Sequence, residues 1–362
     1  MVGKAQARAE AARLVAHFRA AGAEEVEADI LQPAETLLDL YGEDIRARSF
    51  VIHDPLSGER MLRPDFTVPV VQMHMSQGAE PARYTYAGEV FRRQENGTGR
   101  MPEYIQAGYE VFDRTDPAAA DAEVFALIAR ALAPLDLRAV TGDIGILMAA
   151  VRGLKTSDRR KAALLRHIWR PRRFRALLER YGGKAPVPPA RAALLASPDP
   201  LADAPPLVGL RSREEIAARI EALREDAALP PLGAGEVALL DEMLSLRGRA
   251  DAALVKLREI ATEMPAVGKA VERLERRLEA LERRGIEAGA LAFEASHGRT
   301  TMEYYDGFVF SFHAEGRPEL PPVASGGRYD ALTAVLGRGR SIPAVGGVIR
   351  PGLVVQLREG ET

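Results

Sequence analysis

Four short segments carry residue types that could hold a polar ligand. Leu62-Arg63-Pro64-Asp65-Phe66-Thr67 sets a carboxylate and a hydroxyl two positions apart. Pro64 forces an extended entry, so on a strand Asp65 and Thr67 would share one face and could grip an ammonium group. The same residues could instead cap a helix over the apolar run 68–75. Arg92 and Arg100 flank a polar turn with an Asn-Gly pair, a strong hairpin signal. On the strand that follows, Gln106 and Glu110 lie four apart and therefore on one face. Arginine forks suit phosphate or carboxylate, and the same pattern also makes surface ion pairs. In Arg299-Thr300-Thr301-Met302-Glu303-Tyr304-Tyr305-Asp306-Gly307 the adjacent tyrosines, if on a strand, face opposite sides, one toward a pocket and one into packing. Ser325-Gly326-Gly327-Arg328-Tyr329-Asp330 offers paired glycines, which let a backbone approach a ligand closely or simply turn into a helix.

The elements that must position these groups follow from periodicity. Residues 4–20 have helical apolar spacing (Ala12, Leu14, Val15, Phe18) and end before Gly22. Strand-like runs then come close together around residues 48–54, 59–67, 83–91 and 103–112, too close for crossover helices, so they should pair antiparallel. From about residue 143 the chain turns helical, with a strongly basic stretch at 158–184 and a proline-rich connector near 185–206. A later helix carries Val271, Leu274, Leu278 and Leu281 at spacings of three and four. Strand signals return at 304–314, 321–330 and 342–349. The outline is an α+β protein: residues 1–145 and 285–362 form a split main domain, and 146–284 form a mainly helical insertion.

Composition removes whole classes. The 362 residues carry 49 Lys+Arg against 51 Asp+Glu, a net charge of −2, so the global balance gives no sign of a dedicated nucleic-acid binder. The absence of cysteine excludes disulfides and cysteine-ligated zinc. The six histidines never fall three or four apart, so no local metal pair exists. There is no P-loop, no dinucleotide fingerprint and no nucleophile elbow. No window approaches 18 uninterrupted apolar residues, and the amphipathic, arginine-interrupted start lacks signal-peptide features. The expectation is a soluble, cytoplasmic protein with no membrane span.

In order, Arg-Pro-Asp-x-Thr, Phe-Arg with a downstream Arg and Gln-x-Gly-x-Glu, Glu-Tyr-Tyr, and Gly-Gly-Arg-Tyr-Asp resemble the catalytic domain of histidyl-tRNA synthetase, a class II aminoacyl-tRNA synthetase. Gly42-Glu43-Asp44-Ile45 is similar to that family too. The resemblance covers roughly residues 5–145 and 285–350 and implies a class II antiparallel sheet flanked by helices. It also implies that Asp65, Thr67 and Gln106 hold the α-amino group of histidine. Glu110 and Tyr305 would bond the two imidazole nitrogens, Tyr304 and Tyr329 would wall the pocket, and Arg92 matches the arginine on the α-phosphate. An acceptor for one ring nitrogen and a hydroxyl for the other distinguish imidazole from similar rings.

The departures point away from catalysis. The synthetases' arginine before the double tyrosine falls here at Thr300, with Arg299 one residue out of register. Their Phe-Arg-x-Glu reads Phe91-Arg92-Arg93-Gln94, and their Gly-x-Glu-Arg is replaced by Gly347-Val348-Ile349-Arg350-Pro351-Gly352. The chain ends about a dozen residues later, so no anticodon-binding domain is expected. Arg92, Arg100 and Arg299 stand as possible anion or carboxylate contacts. This combination resembles the regulatory subunits of ATP phosphoribosyltransferase, non-catalytic paralogues of the synthetases. The resemblance implies a short-form catalytic subunit as partner in the first step of histidine biosynthesis. It further implies histidine as ligand and feedback inhibitor, a homodimer within a hetero-oligomer, no tRNA, and no cofactor or metal. The alternative is a truncated synthetase-like enzyme that activates a small amino acid with ATP and passes it to a carrier or protein. The basic stretch 158–184 reads either as a solvated helix with an apolar stripe on the core or as a partner-docking face. Nucleic-acid binding is a further reading that nothing else in the chain supports.

Overall fold

The computed structural model describes residues 3–41, 48–56, 58–93, 101–202, 204–206, 208–299 and 304–360. The segment 42–45, Gln94, Arg100 and Thr300 therefore lie outside the described residues. Helix α1 (Lys4–Ala20) closes ahead of Gly22, whose φ of +94° suits glycine. It buries Ala11, Leu14, Val15 and Phe18, while Ala12 faces solvent. Strands β1 (Glu24–Glu25) and β2 (Leu31–Pro33) precede α2 (Ala34–Tyr41), and β3 (Val51–Asp54) and β4 (Gly58–Leu62) follow. Strands β2, β4 and β3 form a small antiparallel sheet.

The strand expected over 59–67 stops at Leu62. Thr67 instead opens helix α3 (Thr67–Gln77), with Asp65 in the turn before it. The apolar residues Val68, Val70, Val71 and Met75 are buried along α3, and this helical burial overrides the alternation read from Asp65 and Thr67. Strands β5 (Ala82–Phe91) and β6 (Glu103–Phe112) form the long hairpin that the Asn-Gly turn predicts. Helix α4 (Pro117–Leu132) and strand β7 (Leu137–Asp143) come next. The helices α5 (Ile144–Gly153), α6 (Asp158–Arg166), α7 (Pro171–Tyr181), α8 (Pro189–Ala196), α9 (Arg213–Ala228), α10 (Ala234–Ser245), α11 (Ala250–Glu263) and α12 (Gly268–Glu282) then follow. A short strand β8 (Arg247–Arg249) lies between α10 and α11. The chain closes with β9 (Ala292–Glu294), β10 (Phe308–Ala314), β11 (Ala324–Arg328), α13 (Asp330–Leu336), β12 (Ala344–Ile349) and α14 (Pro351–Gly360).

Among the described residues the main sheet has nine strands in the order β1-β5-β6-β12-β11-β10-β7-β9-β8. It is mixed: β1–β5 and β7–β9 run parallel, and the remaining pairs are antiparallel. The parallel pairings involve strands of two and three residues, too short to leave an alternation in sequence. One face packs Phe308, Phe310 and Phe312 against Phe125 of α4. On the other face, alternate residues of β5 and β6 join α3, α5–α7 and α10–α12 in the larger core.

Candidate functional site

Glu110 is the centre of the site. It is 1% exposed, on the β6 face that also bears Gln106. Three hydroxyls surround its carboxylate: Thr67 donates to Oε1 at 3.1 Å, Tyr86 donates to Oε1 at 2.7 Å, and Tyr329 donates to Oε2 at 2.5 Å. Burial pushes the carboxyl up to about 7; the hydroxyls pull it down and the charge of Asp65 adds to the rise. The phenols of Tyr86 and Tyr329 are driven well above their ordinary range by burial and by Glu110. The strand opposite must make room. Gly346 of β12 pairs with Glu110, and a Cβ there would stand 1.4 Å from Oε2. Across β5, Gly108 lets the Tyr86 ring lie flat, where a Cβ would meet it at 2.3 Å.

Asp65 is buried in the turn before α3, and Thr67 reaches Glu110 from the first residue of that helix. Arg92 fixes this turn: its Nε donates to the Pro64 carbonyl at 2.7 Å, and Nη2 lies 3.9 Å from Asp65 Oδ2. Gln106 is 1% exposed, and its Oε1 is a buried acceptor with no hydrogen-bond partner among the described residues. Tyr304 and Tyr305 do not sit on a strand facing opposite ways. They lie in the turn before β10 with ring centroids 4.8 Å apart at 67°, both buried, and Tyr304 also meets the Tyr329 ring edge-on at 6.0 Å. The Tyr304 hydroxyl stands 3.4 Å from Thr67 Oγ1. Burial and Glu110 raise the Tyr305 phenol. A backbone bond from Asp306 N to Arg328 O and the Asp306 carboxylate, which accepts from the amides of Asp330 and Ala331, pin this turn to the start of α13.

The structure thus brings Asp65, Thr67, Glu110, Tyr304, Tyr305 and Tyr329 together, with Gln106 on the same strand face. It does not bring Arg299 to them. Arg299 turns toward the helices, where Nε donates to the Ile168 carbonyl at 2.6 Å and the guanidinium lies 4.9 Å from the Phe174 ring. The paired glycines of β11 also serve packing: a Cβ on Gly327 would meet the Tyr305 ring at 2.8 Å, and one on Gly326 the Phe310 ring at 2.4 Å. Arg350 donates to the Pro322 carbonyl and lies 5.7 Å from the Tyr104 ring, and Pro351 opens α14 immediately after it.

Comparison with known proteins addresses the family and the fold. The family model described as histidyl-tRNA synthetase matches residues 3–225 and 206–351. The ATP phosphoribosyltransferase regulatory subunit of Brucella anthropi is 34% identical over 345 residues, covering 90% of each chain, and that of Brucella canis is 33% identical with the same coverage. The chain belongs to the family of ATP phosphoribosyltransferase regulatory subunits. The fold of this regulatory-subunit family member is shared with a crystal structure described as an ATP phosphoribosyltransferase regulatory subunit/histidyl-tRNA synthetase from Bacillus halodurans. That structure has a TM-score of 0.68 at 23% identity and covers 98% of this chain and 79% of the other. A histidine–tRNA ligase subunit from Alicyclobacillus acidocaldarius gives a TM-score of 0.62 at 24% identity, covering 100% and 96%.

Two pocket residues of this regulatory-subunit family member escape a motif reading. Tyr86 is fully buried, stacked on Phe66 at 4.4 Å, and is the nearest phenol to Glu110 Oε1. Hairpin register was the available signal, since it places Tyr86 opposite Gly108, beside Glu110. Trp169 donates Nε1 to the Tyr305 carbonyl at 3.3 Å across 136 positions of sequence, a contact that no local pattern announces.

Proposed function

We propose that this chain is a non-catalytic regulatory subunit of ATP phosphoribosyltransferase that binds histidine in the Glu110 pocket. It docks on a short-form catalytic subunit in the first step of histidine biosynthesis and dimerises within that assembly. The observation that carries the ligand is the buried Glu110 in its cage of hydroxyls, with Gln106 Oε1 unpartnered on the same strand. An imidazole N–H satisfies a carboxylate in a dry pocket, and an ammonium group supplies the donor that the Gln106 carbonyl lacks. Arg92 supports a sensing role because it holds the Pro64 carbonyl and Asp65, while Arg350 is held by Pro322. Histidine then regulates by the difference in its affinity for the active and inactive assemblies.

Two measurements test this reading. Calorimetry on the free chain should show histidine binding, and Glu110→Gln should weaken it by about 1–3 kcal/mol, the scale of a hydrogen bond to a buried polar group. Unchanged affinity in that variant would place histidine elsewhere. ATP–pyrophosphate exchange with each amino acid should stay at background, and histidine-dependent exchange at an enzyme-like rate would instead favour an activating enzyme.

A further inference from the structure

The turn between α6 and α7 breaks a local rule. Helix α7 opens with Pro171 and carries Arg172 and Arg173 in its first turn, with no acidic residue there and no side-chain cap at Arg170. A helix N-terminus bears positive partial charge, so cations at that end are unfavourable. Arg166 and His167 come just before. Burial and then the charges of Arg170, Arg173 and Arg166 push the His167 imidazole below its usual range. His167 Nδ1 is buried without a hydrogen-bond partner among the described residues.

Beneath the turn lies Arg299, 4% exposed, with its Nη2 buried and without a hydrogen-bond partner among the described residues. Burial and the charge of Arg175 lower it to about 10. The stretch 158–184 therefore divides in two. Arg160, Arg175 and Arg180 pair with Asp226 or Asp241 inside the helical region. Arg166, Arg172 and Arg173 are exposed, and their side chains make no ion pair with any described residue. Charge left uncompensated on an uncapped helix start, above a buried arginine, is the kind of local inconsistency that concentrates at functional surfaces.

We infer that the α6–α7 turn docks an acidic surface of a protein partner. The exposed cations spread over two helices, broader than a single small anion requires. Nucleic acid fits less well: Trp169, the one large aromatic of the turn, packs against the core and donates to Tyr305, so it is not free to stack on a base. Two hydrogen bonds tie this turn to the double-tyrosine segment, from Trp169 Nε1 to the Tyr305 carbonyl and from Arg299 Nε to the Ile168 carbonyl. A partner seated here is thereby linked to the pocket, and any such coupling is reciprocal. The inference rests on the regulatory-subunit reading, which makes the catalytic subunit the occupant.

The test titrates the full chain onto the purified catalytic subunit at low and at high salt, as wild type and as an Arg166→Glu/Arg173→Glu double variant. Histidine titration of the free variant serves as a check on its fold. The variant should bind the catalytic subunit at least about tenfold more weakly at low salt, and its affinity should depend less on salt. Alanine at the same two positions, expected to give a smaller loss in the same direction, covers the case in which the reversal fails to fold. A wild-type chain that binds while both variants bind equally well, with the same salt dependence, overturns this inference alone. So does a variant that loses affinity for a transfer-RNA probe while its partner affinity is unchanged. A wild-type chain that does not bind the catalytic subunit at all overturns the functional reading together with this one.

Discussion

At the residue scale the informative group is Glu110, because its environment sets both chemistry and stability. Its carboxyl is pushed up to about 7 in the folded chain from an ordinary value of 4.5. As pH rises through that interval the unfolded chain gives up its proton first. The folded chain then holds more protons, and the Glu110 contribution to stability falls with rising pH by on the order of 3 kcal/mol. Glu110→Gln removes this slope. Urea denaturation should show the variant gaining on the order of 3 kcal/mol relative to wild type between about pH 4.5 and 7; parallel curves would mean that the carboxylate ionises freely. His297 works in the opposite direction. It sits with His313 around Ser311 Oγ, at 2.9 and 2.7 Å, and burial, then His313 and Arg138, lower it to about 4. Its neutral form is favoured on folding, so its contribution is present above the unfolded value of 6.5 and is lost as pH falls toward 4. The slopes oppose one another over a shared window, and single variants are needed to separate them.

At the element scale the pocket depends on strand pairing. Glu110 faces inward only because β12 presents Gly346 opposite it, and β11 presents Gly327 under Tyr305. Gly346→Ala puts a methyl where the carboxylate stands, so Glu110 must swing away from its hydroxyls or β12 must shift. Overpacking of this kind costs about 1–3 kcal/mol. Denaturation should show that loss together with loss of histidine binding, and a variant with wild-type stability and affinity would mean that the β6–β12 pairing does not set the pocket. Helix α1 and the stripe on α12 were legible in sequence because each buries one face with a sustained period, and the hairpin β5–β6 because an Asn-Gly pair stands between two strand-like runs. For Asp65-x-Thr67 the strand reading gives way to its alternative, a helix start ahead of the apolar run 68–75, because two residues carry no period of their own and the burial of that run decides.

At the scale of the whole molecule, a buried ionic network joins the helical region to the sheet. Arg277 of α12, 2% exposed, donates Nε to Asp121 at 2.8 Å and Nη2 to Asp143 at 2.9 Å. Asp121 in turn accepts from Arg328 at 3.0 and 2.7 Å, next to Tyr329 of the pocket. Removing one member of a buried ion network leaves charge uncompensated, at a cost of about 3–5 kcal/mol. Arg277→Met should therefore lower the unfolding free energy by that amount and loosen amide protection at Tyr329, as hydrogen exchange would read. Protection unchanged at Tyr329 would confine the network to packing.

The sequence by itself determined the candidate pocket residues and the order of their motifs, since a carboxylate, hydroxyls and amides are chosen for chemistry and stay recognisable wherever the fold carries them. It also determined the long elements, whose burial repeats along the chain. Only the tertiary structure decided that Arg299 turns to Ile168 and Phe174, and that Trp169 reaches Tyr305. Such contacts join segments separated by more than a hundred positions. Their energy comes from packing and desolvation between surfaces brought together by the fold, and nothing in the local residue pattern encodes which surfaces meet.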